Sequence, residues 1–370
     1  MTTDYRTPID VANRALQHCG VTRITTFADN SKNASEVAFV YDKLRRAELR
    51  RNVWRYAKRW VALRPVDTNT MGFTAVAFDA TKTYLRGSLV TDNGSLYFCN
   101  TDTPVAQTPS DHPEYWTLYF GPLTASLRDA TNTAGYYAGE IVYTTDPDTP
   151  LVYLSLENNN SDDPSTIPAW DTTVMYNSGD TVTYAAATWQ SVKDLNLAQI
   201  PGATDNWVAI PATEAFHRSG RKWLALTGIT LSKPVFIFPI GTGPASSEST
   251  RQVYRLPAGY LRTAPQDPRN SRAASDWVFE GNYLITSDTQ VILFCFIADV
   301  ADVLAMDPMF CEGLAARIGF EVCEVLTQSS DKLKNIGAQY KTFMSEARMV
   351  NAIENGPIEP DEDAYISCRR

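Results

Sequence analysis

The side chains best suited to chemistry lie in the middle of this chain, where carboxylates and aromatic rings are concentrated. Between positions 65 and 215 there are 18 Asp or Glu residues and four Lys or Arg residues. Two carboxylates held about 5–9.5 Å apart can hydrolyse a glycosidic bond. None of these carboxylates stands in a recognisable catalytic setting, and acidic surface explains them without catalysis. We therefore predict no catalytic residue.

Metal and thiol chemistry have little material in this sequence. No two of the six Cys residues have Cys-x-x-Cys spacing, and most lie in apolar periodic segments, where a free Cys behaves as a small apolar side chain. The three His residues, His18, His112 and His217, are far apart in the sequence. We expect no metal site, no disulfide framework and no cofactor.

A repeat organises the aromatic residues of the middle segment. The pattern Tyr-x-x-Gly-x-x-Val begins at Tyr84, Tyr136 and Tyr176. Each copy continues with an aromatic residue in an apolar run and closes with a Pro and a Trp. These residues are Tyr97, Pro113 and Trp116; Tyr153, Pro168 and Trp170; and Trp189, Pro201 and Trp207. Short alternating runs between Gly turns are typical of β-strands, so we predict three small β modules, at about 78–120, 134–171 and 172–211.

The third copy, from Tyr176 to Trp207, resembles the small chitin- and cellulose-binding type of carbohydrate module, and the first copy resembles it more weakly. In that family, exposed aromatic rings stack on sugar faces. The glycan contacts that this resemblance implies are Tyr97, Trp116, Tyr184, Trp189 and Trp207. The alternative interpretation is structural, because a module of about 40 residues needs most of its aromatic rings for its own core.

Amphipathic helices occupy both ends of the chain. Thr7-Pro8 and Asp307-Pro308 each combine an N-cap residue with a Pro that fits the first helical turn. Apolar residues then recur every three or four positions, which predicts one helix up to Gly20 and a pair of antiparallel helices within 307–354. Another helix is predicted over 31–51, with an outer basic face. That face comprises Lys43, Arg45, Arg46, Arg50 and Arg51, and is either solvated or in contact with an acidic partner or nucleic acid.

Charge divides the chain into the same parts. The net charge is +7 over residues 1–64, −14 over 65–215 and −2 over 216–370. We therefore predict an α+β fold with a discontinuous antiparallel helical core and a small β part, formed by 1–66 and 212–355. A large all-β region of tandem small modules is inserted over 67–211, and an extended arm covers 356–370.

The sequence gives no indication of membrane insertion or secretion. No apolar run approaches the roughly 20 residues that a transmembrane helix needs. The first residues are neither basic nor apolar, so we expect no secretory signal. These features favour a protein that is made and folded in a cytosol.

Both ends also carry short motifs in a defined order. At the front they are the predicted helix Ile9–Gly20, Arg23-Ile24-Thr25, an Asp/Ser segment, Tyr41-Asp42, Arg46-x-x-Leu49-Arg50 and Trp54-x-x-Ala57. At the back they are Tyr254-Arg255-Leu256-Pro257-x-x-Tyr260-Leu261, Trp277, Gly281, Leu284-Ile285-Thr286-x-Asp288, Asp307-Pro308-x-Phe310-x-Glu312-x-Leu314-Ala315-x-Arg317 and Leu326-Thr327-x-Ser329. Together they resemble the head-to-tail adaptor of short-tailed bacteriophages, also called tail tubular protein A, over about 7–66 and 251–370.

This resemblance implies a structural virion protein and not an enzyme. Its family forms rings of identical subunits, typically dodecamers, at the head–tail interface, after assembly in the host cytoplasm. The implied partners are further copies of the chain, the portal protein and the tail nozzle (tail tubular protein B). DNA passes through the central channel without specific binding, and no membrane is involved. The β insertion departs from the smaller members; we expect it at the periphery, for attachment of a tail fibre or spike or for glycan binding.

The segment after Gly356-Pro357 is polar and interrupted by Pro, which favours an arm that orders on a partner. We predict that it binds the portal through Tyr365 and Ile366 as anchors, with Arg369 and Arg370 as charge contacts. Two other classes of protein stay open at this point: a host-glycan-binding tail accessory protein and a glycan hydrolase.

Overall fold

The computed structural model describes residues 5–67, 69–144, 151–164, 166–210, 222–232, 251–265, 277–288 and 290–354. The chain combines α-helices with a large β-sheet, in agreement with the predicted α+β class. It divides into two compact units. The helical unit comprises Met1–Arg59, Leu261–Ala264 and Phe296–Arg370, and the β unit comprises Trp60–Tyr260 and Pro265–Cys295.

All four α-helices found among the described residues belong to the helical unit. They are α1 (Pro8–Cys19), α2 (Lys32–Arg51), α3 (Pro308–Thr327) and α4 (Ser330–Glu354). A capping box begins α1, because the Thr7 hydroxyl accepts from the Asp10 N–H while the Asp10 carboxylate accepts from the Thr7 N–H. None of these helices combines the length and the apolar character needed to span a bilayer.

The helix α3 contacts all three other helices. Its predicted apolar stripe is buried at Phe310, Leu314, Ile318 and Val322, whereas Val325, in the last turn, is 45 % exposed. A glycine in α3 lies against a side chain of α4. A Cβ at Gly313 would lie 2.3 Å from the Met344 sulfur, so a larger residue would require the Met344 side chain to move.

The buried face of α2 differs from the predicted one. The sequence places Arg45 on an outer basic face, but this side chain is 2 % exposed. Its Nη1 donates to Asp299 Oδ1 and to the Val300 carbonyl, both at 2.6 Å. Glu48, one turn further along α2, is also buried. Apolar periodicity does not reveal a buried ion pair, because its charged members occupy positions that a sequence pattern assigns to solvent.

A nine-stranded sheet forms the centre of the β unit. Its strands are β2 (Met71–Ala77), β3 (Leu89–Asp92), β4 (Ser95–Cys99), β5 (Trp116–Leu118), β6 (Thr124–Leu127), β7 (Ile141–Thr144), β8 (Leu151–Ser155), β14 (Trp223–Leu226) and β15 (Ile229–Ser232). Their order is β14-β8-β7-β6-β2-β3-β4-β5, and β15 also pairs with β2. The pairs β2–β3 and β6–β7 are parallel, and the other pairs are antiparallel.

The other described strands form four smaller sheets. Their bounds are β1 (Lys58–Leu63), β9 (Met175–Tyr176), β10 (Thr181–Tyr184), β11 (Ala187–Ser191), β12 (Asn196–Leu197), β13 (Trp207–Ile210), β16 (Gln252–Arg255), β17 (Tyr260–Thr263), β18 (Val278–Glu280), β19 (Tyr283–Thr286) and β20 (Ile292–Ala298). The orders are β10-β11-β13, β12-β9, β16-β19-β18 and β1-β20-β17. The boundary between the two units falls inside β1, β17 and β20.

The three predicted repeats are three copies of one antiparallel three-stranded meander. Module 1 (residues 76–118) contains β3-β4-β5, and module 3 (residues 168–210) contains β10-β11-β13. Module 2 (residues 126–164 and 222–226) contains β7-β8-β14, so its third strand comes after module 3 in the sequence. Module 3 is therefore inserted into module 2. The predicted end of the β insertion at residue 211 falls before that strand.

Candidate interaction surfaces

An edge-to-face pair of a Tyr and a Trp lies at the core of every module. The pairs are Tyr84 with Trp116, Tyr136 with Trp223, and Tyr176 with Trp207, at centroid distances of 5.3, 5.5 and 5.2 Å and interplanar angles of 70°, 65° and 69°. In each pair the Trp indole N–H also donates to a loop carbonyl of the same module. The pairs fix the module cores, because tilted rings at these distances gain energy beyond their burial.

The Trp that closes module 2 differs from the predicted one, because the repeat pattern assigned Pro168 and Trp170 to that role. Trp223 closes module 2, and Trp170 instead packs against the core of module 3. The backbone N–H of Trp170 donates to the Thr183 carbonyl, as the N–H of Phe78 donates to Thr91 at the start of module 1. Trp170 therefore opens module 3.

A short Asp-x-Thr motif, which the sequence analysis missed, precedes the Tyr of each module. The Tyr hydroxyl accepts from the Asp backbone N–H at 2.7–2.8 Å, and the Asp carboxylate accepts from the Thr N–H and hydroxyl. The three motifs start at Asp79, Asp129 and Asp171. The Thr groups lower the pKa of Asp79 and Asp129. These carboxylates are engaged in turns, so their contacts are structural.

The Gly of the repeat has the same backbone conformation in all three modules. Its φ is 93° at Gly87, 90° at Gly139 and 96° at Gly179. Each N–H donates to the carbonyl of the last residue of the module's second strand, at 2.8–2.9 Å. Side chains rarely tolerate this region of φ, which explains why the repeat has Gly there.

Two of the five predicted glycan contacts are core residues. Trp116 is 2 % exposed and Trp207 is 4 % exposed, and each packs edge-to-face on its module Tyr. The prediction is wrong for both, because a ring enclosed on its faces cannot stack on a sugar. As the alternative interpretation stated, so small a module uses these rings for its core.

The other three predicted glycan contacts are half-buried. Tyr97 packs against the core of module 1, and Tyr184 lies edge-to-face with Trp170 at 5.3 Å. Trp189 donates its indole N–H to the Tyr184 carbonyl at 3.3 Å, and a Cβ at Gly202 would lie 2.8 Å from its ring. The structure brings Tyr184 and Trp189 together in module 3; their binding of a glycan stays a prediction.

Module 3 also carries an apolar surface. The exposed large apolar residues of this module are Met175, Val192, Leu195, Leu197, Ile200 and Val208. Met175 and Leu197 are register partners across the β9–β12 pair, so they lie side by side. Leu195, beside them in the chain, is 71 % exposed. Adjacent exposed apolar side chains such as Met175 and Leu197 favour contact with another protein.

In the helical unit, residues from the two ends of the chain contact each other directly. Trp54 lies edge-to-face with Phe310 at 4.9 Å. Arg14 Nε donates to Glu312 at 3.0 Å. Arg46 forms an ion pair with Asp299 at 2.8 Å, next to the buried Arg45. These contacts join side chains of the front and back segments within the helical unit.

Glu48 is the centre of a polar cluster in the same unit. Its carboxylate accepts from the Tyr340 hydroxyl at 2.9 Å and from Arg51 at 3.1 Å, and Arg317 lies 3.8 Å away. The carbonyl of Glu48 accepts from the Trp54 indole N–H at 3.0 Å. Burial, followed by the hydrogen bond to Glu48, raises the pKa of Tyr340.

An open basic groove lies beside this cluster. It has a volume of about 580 Å³ and is lined by Arg51, Asn52, Tyr340, Lys341, Met344 and Arg348. Lys341 and Arg348 are seven residues apart on α4, which places them on one helical face. The spacing of Lys341 and Arg348 could have indicated a basic helical face from the sequence. The third cation of the groove, Arg51, comes from α2, so its position depends on the fold.

The four predicted portal contacts, Tyr365, Ile366, Arg369 and Arg370, lie outside the described residues. The described part of the chain has no group of three or more His, Cys, Asp or Glu that could hold a metal ion. Its five Cys residues are buried free thiols. Burial raises the pKa of Cys99 and Cys311 to about 12, which keeps these thiols protonated and unreactive.

Comparison with known proteins gives no family assignment. No protein-family model and no curated protein matches this sequence.

Proposed function

We propose that this chain is a structural virion protein, the head-to-tail adaptor of a short-tailed bacteriophage. Copies of it would assemble into a ring, typically of dodecameric size in the family that it resembles, between the portal and the tail nozzle. Viral DNA would pass through the channel without specific binding. Assembly takes place in the host cytoplasm, and the product is part of the virion tail.

The contact between the motif residues of the two chain ends carries this proposal. The resemblance rests on short motifs near the front and the back, and each of them is weak alone. Trp54 and Ala57 at the front are buried in the helical unit, as are Phe310 and Leu314 at the back. Trp54 packs on Phe310. Motifs that share a core are constrained together, which supports treating them as one pattern.

In the proposed ring, a discontinuous antiparallel helical core acts as the frame of each subunit. Exposed apolar residues on the helices would be covered by the next subunit. They are Phe39 on α2 and Met349 and Ile353 on α4. A heterologous contact of this kind closes into a ring when the rotation between copies permits it.

Negative-stain imaging of the purified chain, with and without portal protein, tests the main claim. We expect rings that dock on the portal, and a monomer that leaves the portal bare would overturn the proposal. Ile353→Glu with Met349→Glu should prevent ring formation while the circular dichroism spectrum is unchanged. Lys334→Gln, an exposed change on the same helix, is the control and should form rings normally.

The predicted arm is tested separately. Deletion of residues 357–370 should abolish portal binding while the subunit folds and forms rings. Arg369→Ala with Arg370→Ala should weaken portal binding. The loss of affinity relative to the wild type should be larger at low salt, where surface charges interact most strongly. Unchanged portal binding after the deletion would rule out the arm as the contact.

For the β insertion we propose attachment of a tail fibre or spike at the periphery of the ring. The observation that favours a protein partner over a glycan is the apolar surface of module 3. Leu195→Ser with Leu197→Ser should abolish copurification of the fibre protein with assembled tails. Val105→Ser, an exposed change in module 1, is the matched control.

The alternative is a host-glycan-binding tail accessory protein. It is based on the resemblance of module 3 to carbohydrate-binding modules. Half-buried Tyr184 and Trp189 are the residues available for it. Titration with chitin oligomers or cellodextrins would then change Trp fluorescence, and Trp189→Ala would remove that change. A glycan hydrolase, the remaining alternative, would release products from peptidoglycan or chitin, and we expect no turnover.

A further inference from the structure

The basic groove of the helical unit carries charge that its surroundings leave uncompensated. Arg51, Lys341 and Arg348 all line it. Arg51 pairs with Glu48, a buried carboxylate that also accepts from Tyr340. Within the part of the chain that the structure describes, Lys341 and Arg348 pair with no carboxylate. The groove therefore offers at least two cationic groups to a ligand.

The same chain contains an acidic segment close to this groove in sequence. Residues 359–363 read Glu-Pro-Asp-Glu-Asp, with four carboxylates and no cation. They follow the end of α4 at Glu354, the helix that contributes Lys341 and Arg348. Gly356 and Pro357 intervene, and both favour a change of chain direction.

The length of chain between helix and acidic segment permits the contact. Arg348 lies six residues before Glu354, or about 9 Å back along the helix axis. Lys341 lies 13 residues before it, or about 20 Å. The five residues from Glu354 to Glu359 span at most about 17 Å when extended, and the nine to Asp363 at most about 30 Å. Both cations are within reach of the same molecule's acidic segment.

We infer that the basic groove binds residues 359–363 of its own chain. Carboxylates of the segment form charge-assisted hydrogen bonds to Arg348 and Lys341. This inference does not depend on ring assembly or on the portal, because it concerns one chain alone.

Zero-length carbodiimide crosslinking of the full-length chain tests the contact, since the reagent joins a lysine amine to a carboxylate only in direct contact. Peptide mapping should find Lys341 joined to Glu359, Asp361, Glu362 or Asp363 in a product of monomer mass. Lys334, an exposed lysine on α4 outside the groove, is the internal control. In 1 M salt, with a Debye length of about 3 Å, the Lys341 product should fall about tenfold.

Variants make the test specific. Arg348→Glu should reduce the Lys341 crosslink by about tenfold, the loss expected from one charge-assisted contact of roughly 1.4 kcal/mol. Adding Asp361→Arg to Arg348→Glu should restore it. Lys334→Gln should leave it unchanged. Equal labelling of Lys341 and Lys334 would overturn the inference, and a product of dimer mass would show that a second copy supplies the segment.

Discussion

Tyr136 and Trp223 lie edge-to-face in module 2, although all of module 3 lies between them in the sequence. The same pair closes modules 1 and 3 within a single uninterrupted stretch. The insertion therefore leaves the core of the host module intact. It also means that the stability of module 2 depends on a residue supplied from beyond module 3, which leads to the first prediction.

Trp223→Ala should destabilise module 2 by about 3–5 kcal/mol, because it removes a buried indole and its hydrogen bond to the Asp162 carbonyl. Hydrogen exchange should accelerate in β7 and β8. Exchange in module 3 should be unchanged, since its own pair of Tyr176 and Trp207 is intact. Leu156→Ala, a half-exposed side chain of module 2, serves as the control and should have little effect. Equal acceleration in both modules would contradict this prediction.

Replacement of the repeat Gly should have different costs in different modules. Gly139→Ala should cost about 1–2 kcal/mol, the backbone cost of an L residue at positive φ, because no atom lies within 4 Å of the new Cβ. Gly87→Ala should cost more, because its Cβ would lie 2.3 Å from the Ala225 carbonyl oxygen. Urea unfolding of the two variants measures the difference. Equal midpoints would show that backbone conformation alone decides the cost.

The buried ion pair of Arg45 should be highly sensitive to loss of its partner. Asp299→Ala should destabilise the helical unit by about 3 kcal/mol, since it leaves the buried guanidinium with exposed Asp42 as its remaining carboxylate partner. Glu321→Ala removes a partner of Arg317 at an exposed i,i+4 pair and should cost only about 0.3–0.5 kcal/mol. Thermal unfolding of both variants provides the comparison, and similar losses would argue against a special role for burial.

Asp29 should give the helical unit a specific acid sensitivity. Its carboxylate accepts from the backbone N–H groups of Thr25 and Thr26, and from their hydroxyls, which lowers its pKa to about 2. A lowered pKa stabilises the folded state above the unfolded value near 3.8, and this contribution disappears as pH falls through 2. The stability difference between the wild type and Asp29→Asn should therefore be present at pH 6 and should decrease progressively as the pH falls from about 4 to below 2.

The control for the Asp29 prediction is Glu346→Gln, which removes an exposed carboxylate of α4. This variant should follow the wild type across the whole pH range. A pH-independent difference between wild type and Asp29→Asn would mean that the asparagine disturbs the loop through its shape and not through its charge.

Local rules sufficed for the parts of the fold that local chemistry decides. Thr7-Pro8 and Asp307-Pro308 predicted the starts of α1 and α3, because caps and first-turn prolines act within a few residues. The three repeats were visible because each uses the same Gly conformation and the same Tyr. The α+β class followed from the position of helical periodicity at the two chain ends.

Long-range features were not accessible to the same rules. Trp223 was missed because the third strand of module 2 is distant in sequence, and Trp170 was the nearest Trp. Recognition of the Asp-x-Thr motif beginning at Asp171 would have placed Trp170 at the start of module 3. Arg45 was assigned to solvent because its partner, Asp299, comes from the far end of the chain. The basic groove likewise joins two helices that no sequence window contains.

The nesting of module 3 also sets the order in which the chain can be completed during synthesis. A ribosome releases the N-terminal part first, and compact regions fold as they emerge. Module 1 is complete once β5 has emerged. The strands β7 and β8 of module 2 emerge next, but their third strand, β14, has not yet been made. Module 3 follows and can close on its own before β14 is made. The translation order therefore completes the modules as first, third and second, and β8 has an unpaired edge throughout the synthesis of module 3.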